Sequence, residues 1–276
     1  MFLPGFPGTG RVFMAMQIIE WPRFLEGPPQ GKNNSAIAVG VFDGVHRGHQ
    51  ALIAHVCARK DGAVPVLVTF RQRRHKNAPG ENPGSIMSFR QKMAAFERLG
   101  IAVTVVIEFT ESFMRTSGTD FLQILLRQGG MGFLAVGSNF RCGHRLDTDA
   151  RAVEGFCSRL NIPAVIVPVL TEGGKQISSS RIRSAVSRGE LKDAAGMLGC
   201  PFTVDLAGVP AFAAGNATVY DISGQDRLLP PPGKYAVYLL GGAGPGVKTR
   251  AEILVEGGNI IVEEGVGFEY VEFLPA

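Results

Sequence analysis

AIAVGVFDGVHRGHQALI, Ala36 to Ile53, decides the reading of this chain, because an apolar strand pattern runs directly into a helical one through a turn rich in glycine and histidine. Residues Ala36 to Phe42 are apolar and suited to a buried strand. From Gln50 onward, Leu52, Ile53 and Val56 recur at helical spacing. Between them lies Asp43-Gly44-Val45-His46-Arg47-Gly48-His49. A helix start presents unpaired N–H groups and a partial positive charge, and glycines let an anion approach that backbone closely. His46 and His49, three residues apart, add imidazole donors that can meet phosphate oxygens as charge develops. The turn lacks the Gly-Lys-Ser/Thr of a Walker loop and the spacing of the three-glycine dinucleotide fingerprint. Its expected place is the carboxyl end of a strand in an open α/β sheet, where such folds bind ligands.

Working outward, apolar runs at Pro65–Phe70, Ala102–Ile107, Leu134–Val136 and Ala164–Val169 alternate with helical patterns. Phe89, Met93, Phe96 and Leu99 mark one helix face, and Phe121, Leu122, Leu125 and Leu126 another. Such alternation predicts an α/β fold with a parallel sheet covered on both sides. Two further helical patterns, Arg181–Arg188 and Leu191–Leu198, follow the serines Ser178 to Ser180 and end at Gly199 and Pro201. Beyond them the sequence turns glycine-rich and β-like, with Gly257-Gly258 placed as a hairpin turn. The expected organisation is one domain over residues 17–199 and a smaller antiparallel, barrel-like β domain over 200–276. Residues 1–16 stand as an upstream extension, with Met16 an alternative start.

The 276 residues carry a formal charge of only +4 and no long basic run apart from Arg71 to Lys76, so no nucleic-acid partner is expected. Four separated cysteines without a Cys-x-x-Cys pair, and no histidines at zinc-ligand spacing, fit reduced thiols in a cytoplasmic protein and predict no protein-held metal. No apolar run has the length of a membrane span, and no membrane partner is expected.

Three motifs together give the chain a resemblance to the bacterial bifunctional riboflavin kinase/FMN adenylyltransferases, the FAD synthetases. GVFDGVHRGH, Gly40 to His49, resembles the family's nucleotide-binding turn; VGSNFRCG, Val136 to Gly143, is similar to its second motif; ISSSRIR, Ile177 to Arg183, matches its third, with Ser180 where threonine is usual. The resemblance implies a Rossmann-like nucleotidyltransferase domain that joins FMN and ATP into FAD and pyrophosphate with Mg2+. It implies catalytic roles for His46, His49, Asn139, Ser180 and Arg183, and ATP contacts from Gly40, Phe42, Asp43, Gly44, Gly48 and Ser179. Flavin contacts fall to Phe70, Arg73 and Arg141. Asp43 has a second reading, as a side chain that bonds backbone amides of the turn.

Two departures bear on substrate and activity. After Thr69-Phe70 the family has Pro-His-Pro, whereas this chain has Gln72, Arg73 and Arg74. Arg73 offers a cation for the FMN phosphate, while the lost prolines remove stiffness. In the β domain, Ala213-Ala214-Gly215-Asn216 stands where the kinase's Pro-Thr-Ala-Asn belongs, and Tyr270-Val271-Glu272 resembles the strand of its catalytic glutamate. Loss of riboflavin kinase activity is the expectation. Two other readings stay open: a nucleotidyltransferase with a different phosphorylated acceptor, and a flavin- or nucleotide-binding protein without turnover.

Overall fold

The computed structural model describes residues 15–28, 34–71, 84–241, 244–263, 265 and 267–275. The first part contains β1 (Gln17–Glu20), α1 (Trp21–Phe24), β2 (Ser35–Val39), α2 (Arg47–Cys57), β3 (Val64–Phe70), α3 (Phe89–Arg98), β4 (Val103–Ile107), α4 (Glu111–Met114), α5 (Gly118–Arg127) and β5 (Met131–Gly137). A short hairpin, β6 (Arg141–Cys142) and β7 (Thr148–Asp149), precedes α6 (Ala150–Arg159) and β8 (Ala164–Val167). A second hairpin, β9 (Thr171–Glu172) and β10 (Lys175–Gln176), leads into α7 (Ser179–Ser187) and α8 (Leu191–Leu198).

Six strands form a parallel sheet in the order β1-β4-β3-β2-β5-β8. β2 and β4 are buried along their whole length, which explains why, apart from Ser35 and Thr104, they consist of Val, Ile and Ala. From β2 the chain winds to β3 and β4 on one side and then crosses to β5 on the other. The strand order therefore reverses between β2 and β5, and in sheets of this kind the ligand crevice lies at the carboxyl ends of the two strands flanking the reversal. The turn containing His46 follows β2. The loop containing Asn139 follows β5.

The remaining strands are β11 (Thr203–Asp205), β12 (Ala211–Ala214), β13 (Ala217–Asp221), β14 (Gly233–Gly241), β15 (Gly244–Glu256), β16 (Asn259–Glu263) and β17 (Tyr270–Phe273). They pair antiparallel in the order β11-β17-β14-β15-β16-β13-β12. Gly257 and Gly258, at φ 57° and 79°, form the two-residue turn between β15 and β16. Such positive φ at both central positions is what an ordinary residue resists.

The hydrophobic core does not divide where the sequence changes character. Ile182, Ala185 and Val186 of α7 and Leu191, Ala194, Met197 and Leu198 of α8 share one core with Phe202, Val237, Leu239, Ile253, Val271 and Phe273 of the β domain. The two helices are thus packed on the β sheet while the start of α7 reaches the parallel domain. The segment Gly84–Gln91 is tied to the β domain as well. Ser85 donates from its backbone and hydroxyl to Asp226, Ser88 donates to buried Asp205, and Gln91 donates to the Thr203 carbonyl. Arg90 pairs with Asp205 at 2.7 Å and Glu269 at 2.8 Å and lies over the Tyr270 ring.

Candidate active site

The turn after β2 is tighter than its sequence suggests. The strand expected to reach Phe42 ends at Val39, because Phe42 (φ 55°) and Val45 (φ 40°) both turn left-handed. That conformation costs an ordinary residue roughly 1–2 kcal/mol, and surrounding packing must offset it. The Phe42 ring is fully buried and meets His49 edge-on at 5.2 Å and Phe96 at 5.5 Å. Its side chain is a floor beneath His49, so only the backbone of Phe42 is left to meet a nucleotide. A side chain at Gly40 would press on that ring at 3.1 Å. Gly44 sits at φ 84°, against Ile86 and Leu198.

The helix after the turn begins at Arg47, three residues before the expected position, because His46 caps it. Its Nδ1 accepts the His49 backbone N–H at 3.3 Å. Serine, threonine, asparagine and aspartate usually fill this role with an oxygen. An accepting Nδ1 leaves the proton of neutral His46 on Nε2, so the ring offers one N–H donor from its other edge. A Cβ at Gly48 would come within 3.2 Å of the His46 ring, so this glycine makes space for the cap.

His46 and His49 stack with ring centroids 3.6 Å apart and planes 15° from parallel. Burial pushes His46 down to about 4. His49 is held well below the usual histidine range by burial, with the nearby His46 and Lys92 adding repulsion. Both rings are therefore neutral at pH 7. His49 Nδ1 is buried without a hydrogen-bond partner among the described residues, the kind of polar atom that a ligand or water satisfies.

The third motif arrives at this same turn. Ser178 caps α7 by accepting the Arg181 N–H at 3.2 Å, which leaves Ser179 and exposed Ser180 at the first two helical positions. Ser179 donates its hydroxyl to the Asp43 carbonyl at 2.8 Å, and Arg183 donates to the Asp43 carboxylate at 2.5 Å and to the Gly84 carbonyl at 3.2 Å. Asp43 is 3 % exposed and also accepts the Ile86 and Met87 N–H groups, so the amides it bonds belong to the segment before α3 and not to its own turn. One buried carboxylate thus joins the α2 turn, the α7 start and the segment before α3. Arg183 acts here as a clamp, which its phosphate-binding pattern did not foretell.

Asn139 is exposed after β5, and Arg141 is exposed two residues on. Phe70, at the end of β3, stacks on Phe109 at 4.7 Å and 12°, with Phe113 alongside at 6.0 Å. Phe109 is 41 % exposed, leaving an aromatic face open. Arg73 lies outside the described residues. The sequence reading missed Phe109 and Phe113, whose signal was two aromatics four apart just beyond a strand. It also missed Lys92, a charged residue in step with the apolar face Phe89, Met93 and Phe96. Lys92 is only 5 % exposed.

In the β domain, Glu272 is bound to Lys248 at 2.8 Å and 2.9 Å, and Asn216 is exposed between β12 and β13. No helix among the described residues is long and apolar enough to cross a membrane.

Known proteins place this geometry in context. The sequence profile of the FAD synthetase family matches residues 29–181, more than half of the chain. A bifunctional riboflavin kinase/FMN adenylyltransferase of Buchnera aphidicola subsp. Acyrthosiphon pisum is 27% identical over 180 residues, 62% of this chain and 56% of that protein. The chain therefore matches little more than half the length of that relative. The Escherichia coli K12 enzyme of the same description is 26% identical over 235 residues, 82% of this chain and 74% of its own. A Listeria monocytogenes FAD synthetase is 25% identical over 222 residues, covering 75% and 82%. In fold, the chain is similar to a Streptococcus pneumoniae structure described as a macrolide-efflux protein, with TM-score 0.77, 21% identity, and coverage of 94% and 90%.

Proposed function

Because the chain belongs to the FAD synthetase family, we propose that it is an FMN adenylyltransferase, which transfers AMP from ATP to FMN to give FAD and pyrophosphate. An FMN phosphate oxygen attacks the α-phosphorus of ATP, the bond from that phosphorus to the bridging oxygen breaks, and pyrophosphate leaves. No covalent intermediate with the protein forms. A reaction of this type needs alignment and charge neutralisation more than a nucleophile.

The observation that carries the reading is that the α7 start is bonded to Asp43, in the same turn that carries a pair of stacked neutral imidazoles at the α2 start. In this role the first-turn N–H groups of α2 and the Nε2–H of His46 receive the ATP phosphates, and His49 supplies a second ring beside them. Ser180 and the α7 start grip the same polyphosphate from across the turn, while Ser179 and Arg183 hold the two helix starts in register through Asp43. Gly40 and Gly44 shape the backbone that approaches the nucleotide. Asn139, from the other strand of the reversal, aligns the reacting phosphates. Phe70, with Phe109 beside it, provides an aromatic face for the isoalloxazine ring, and Arg73 and Arg141 serve the FMN side.

The turn's donors are N–H groups, hydroxyls and neutral rings, and its one carboxylate is occupied by Arg183. Among the described residues no group of three or more His, Cys, Asp or Glu side chains is arranged to hold a metal. Magnesium enters this scheme through the family resemblance, as a companion of the ATP phosphates. The β domain we take to have lost riboflavin kinase activity, because the threonine of the ATP-binding motif is missing.

The test is incubation with ATP, magnesium and a panel of phosphorylated acceptors. FAD formed with FMN, and no adduct with the others, supports the assignment. An adduct with another acceptor and none with FMN would replace it by the second nucleotidyltransferase reading. Tight flavin binding without pyrophosphate release would mark a binding protein.

A further inference from the structure

Lys92 projects from α3 into the ends of two neighbouring strands of the parallel sheet. Its Nζ donates to the Val41 carbonyl at 3.2 Å, the Thr69 hydroxyl at 3.3 Å and the Phe70 carbonyl at 3.1 Å. Thr69 itself donates to the Val41 carbonyl at 3.1 Å. An ammonium has three donors, and here all three are taken by acceptors at one point. Val41 opens the turn that carries His46 and His49. Thr69 and Phe70 close β3, from which the chain enters the segment assigned to the acceptor.

We propose that Lys92 is a positioning residue for adenylyl transfer: its ammonium pins the start of the nucleotide turn to the end of the acceptor strand and so fixes the spacing of the two substrates. This rests on the adenylyl-transfer reading above. A residue placed only for stability has no need of charge at this point. Burying an ammonium is costly, and an apolar side chain would continue the helix face of Phe89, Met93 and Phe96.

The groups facing Nζ come from three elements: Asp43 from the turn, His49 from α2, and Arg71 just past β3. Burial lowers Lys92 to about 8, with Arg71 pushing the same way and Asp43 opposing. At pH 7 the ammonium is intact and holds all three acceptors. Above pH 8 the amine keeps two donors and turns a lone pair toward the third acceptor, which loosens the pin.

Two variants and one turnover-independent measurement test this. Lys92→Met keeps the length and loses every donor; kcat for FAD formation should fall about 10- to 100-fold, with KM for ATP changed less than about threefold. Wild-type kcat should decline above pH 8, and Lys92→Arg, charged at every pH used, should lack that decline while keeping more activity than Lys92→Met. Amide hydrogen exchange needs no catalysis: in Lys92→Met, exchange should quicken at both 40–45 and 70–71 while α5 and α6 keep wild-type protection. If both variants unfold, the wild-type protein decides by exchange at pH 7 and pH 9.5, corrected for intrinsic rates, with the same two segments loosening together at the higher pH. Failure of the wild-type protein to make FAD would overturn the adenylyl-transfer reading, and the exchange result would then judge the pin alone. Wild-type kcat in folded Lys92→Met, an unchanged alkaline decline in folded Lys92→Arg, or exchange that quickens at neither segment overturns the proposal.

Discussion

Replacing His46 by asparagine separates the two tasks that the structure gives this residue. As cap of α2 its Nδ1 accepts the His49 N–H, and loss of such a cap to alanine costs about 1 kcal/mol. For a chain of this size that amounts to about 2–4 °C in melting temperature. Asparagine is itself a good cap, so His46→Asn should melt close to wild type and His46→Ala a few degrees lower. The Nε2–H is different, because no asparagine atom reaches its position. If that donor meets the phosphates as charge builds, its loss costs roughly 2.7–4 kcal/mol of transition-state stabilisation, or 10²- to 10³-fold in kcat. Both variants should show that loss alike. The assay pairs thermal melting with steady-state FAD formation by chromatography at saturating ATP and FMN. Asparagine at near wild-type kcat would refute the catalytic role and leave His46 as a helix cap only.

Other perturbations follow from the same geometry. Asp43→Asn removes the charge that holds Arg183 while keeping acceptor and shape; because Arg183 is partly exposed, the expected loss is about 2 kcal/mol in urea unfolding, together with a drop in turnover. An unchanged unfolding midpoint would show that the pair does not join the two helix starts. Stability should fall as pH drops from 6.5 towards 4, because the unfolded His46 takes up a proton near 6.5 and the folded one only near 4. Above 6.5 this group contributes no slope, and His46→Asn should make the acid limb shallower in urea titrations, with His49, held low in the same way, keeping the rest of it. A chain ending at Leu198 would expose Ile182, Val186, Met197 and Leu198, each worth about 1.5–3 kcal/mol of burial, and should be aggregated or unfolded by circular dichroism and size exclusion. A folded, fully active truncation would show that the β domain is dispensable. Riboflavin with ATP should yield no FMN, and steady conversion would contradict the loss of kinase activity.

Much of the parallel sheet could be read directly, because strands buried on both faces leave apolar runs such as Ala36–Val39 and Val103–Ile107, the latter interrupted only by Thr104. The glycine-histidine turn and the serine-arginine helix start were equally visible, since their chemistry depends on local spacing. What the chain did not disclose depends on distant partners. Phe42 and Val45 read as strand and turn residues, and their left-handed backbone is imposed by packing against Phe96, His49 and the neighbouring elements. Arg183 reads as a cation for phosphate, and only folding brings it to Asp43, 140 positions away. The change to glycine-rich sequence after Pro201 marks a change of secondary structure, whereas the core continues from α7 and α8 into the β domain. Lys92 was concealed by the apolar face that surrounds it.

The most direct measurement follows the fate of the α-phosphate. The purified chain is given ATP labelled at the α-phosphorus together with FMN and magnesium, and products are resolved by chromatography. The label should pass into FAD, with one unlabelled pyrophosphate released for each FAD formed. Label remaining in ATP, or leaving as free AMP with FMN unchanged, would contradict adenylyl transfer at the turn of His46 and His49.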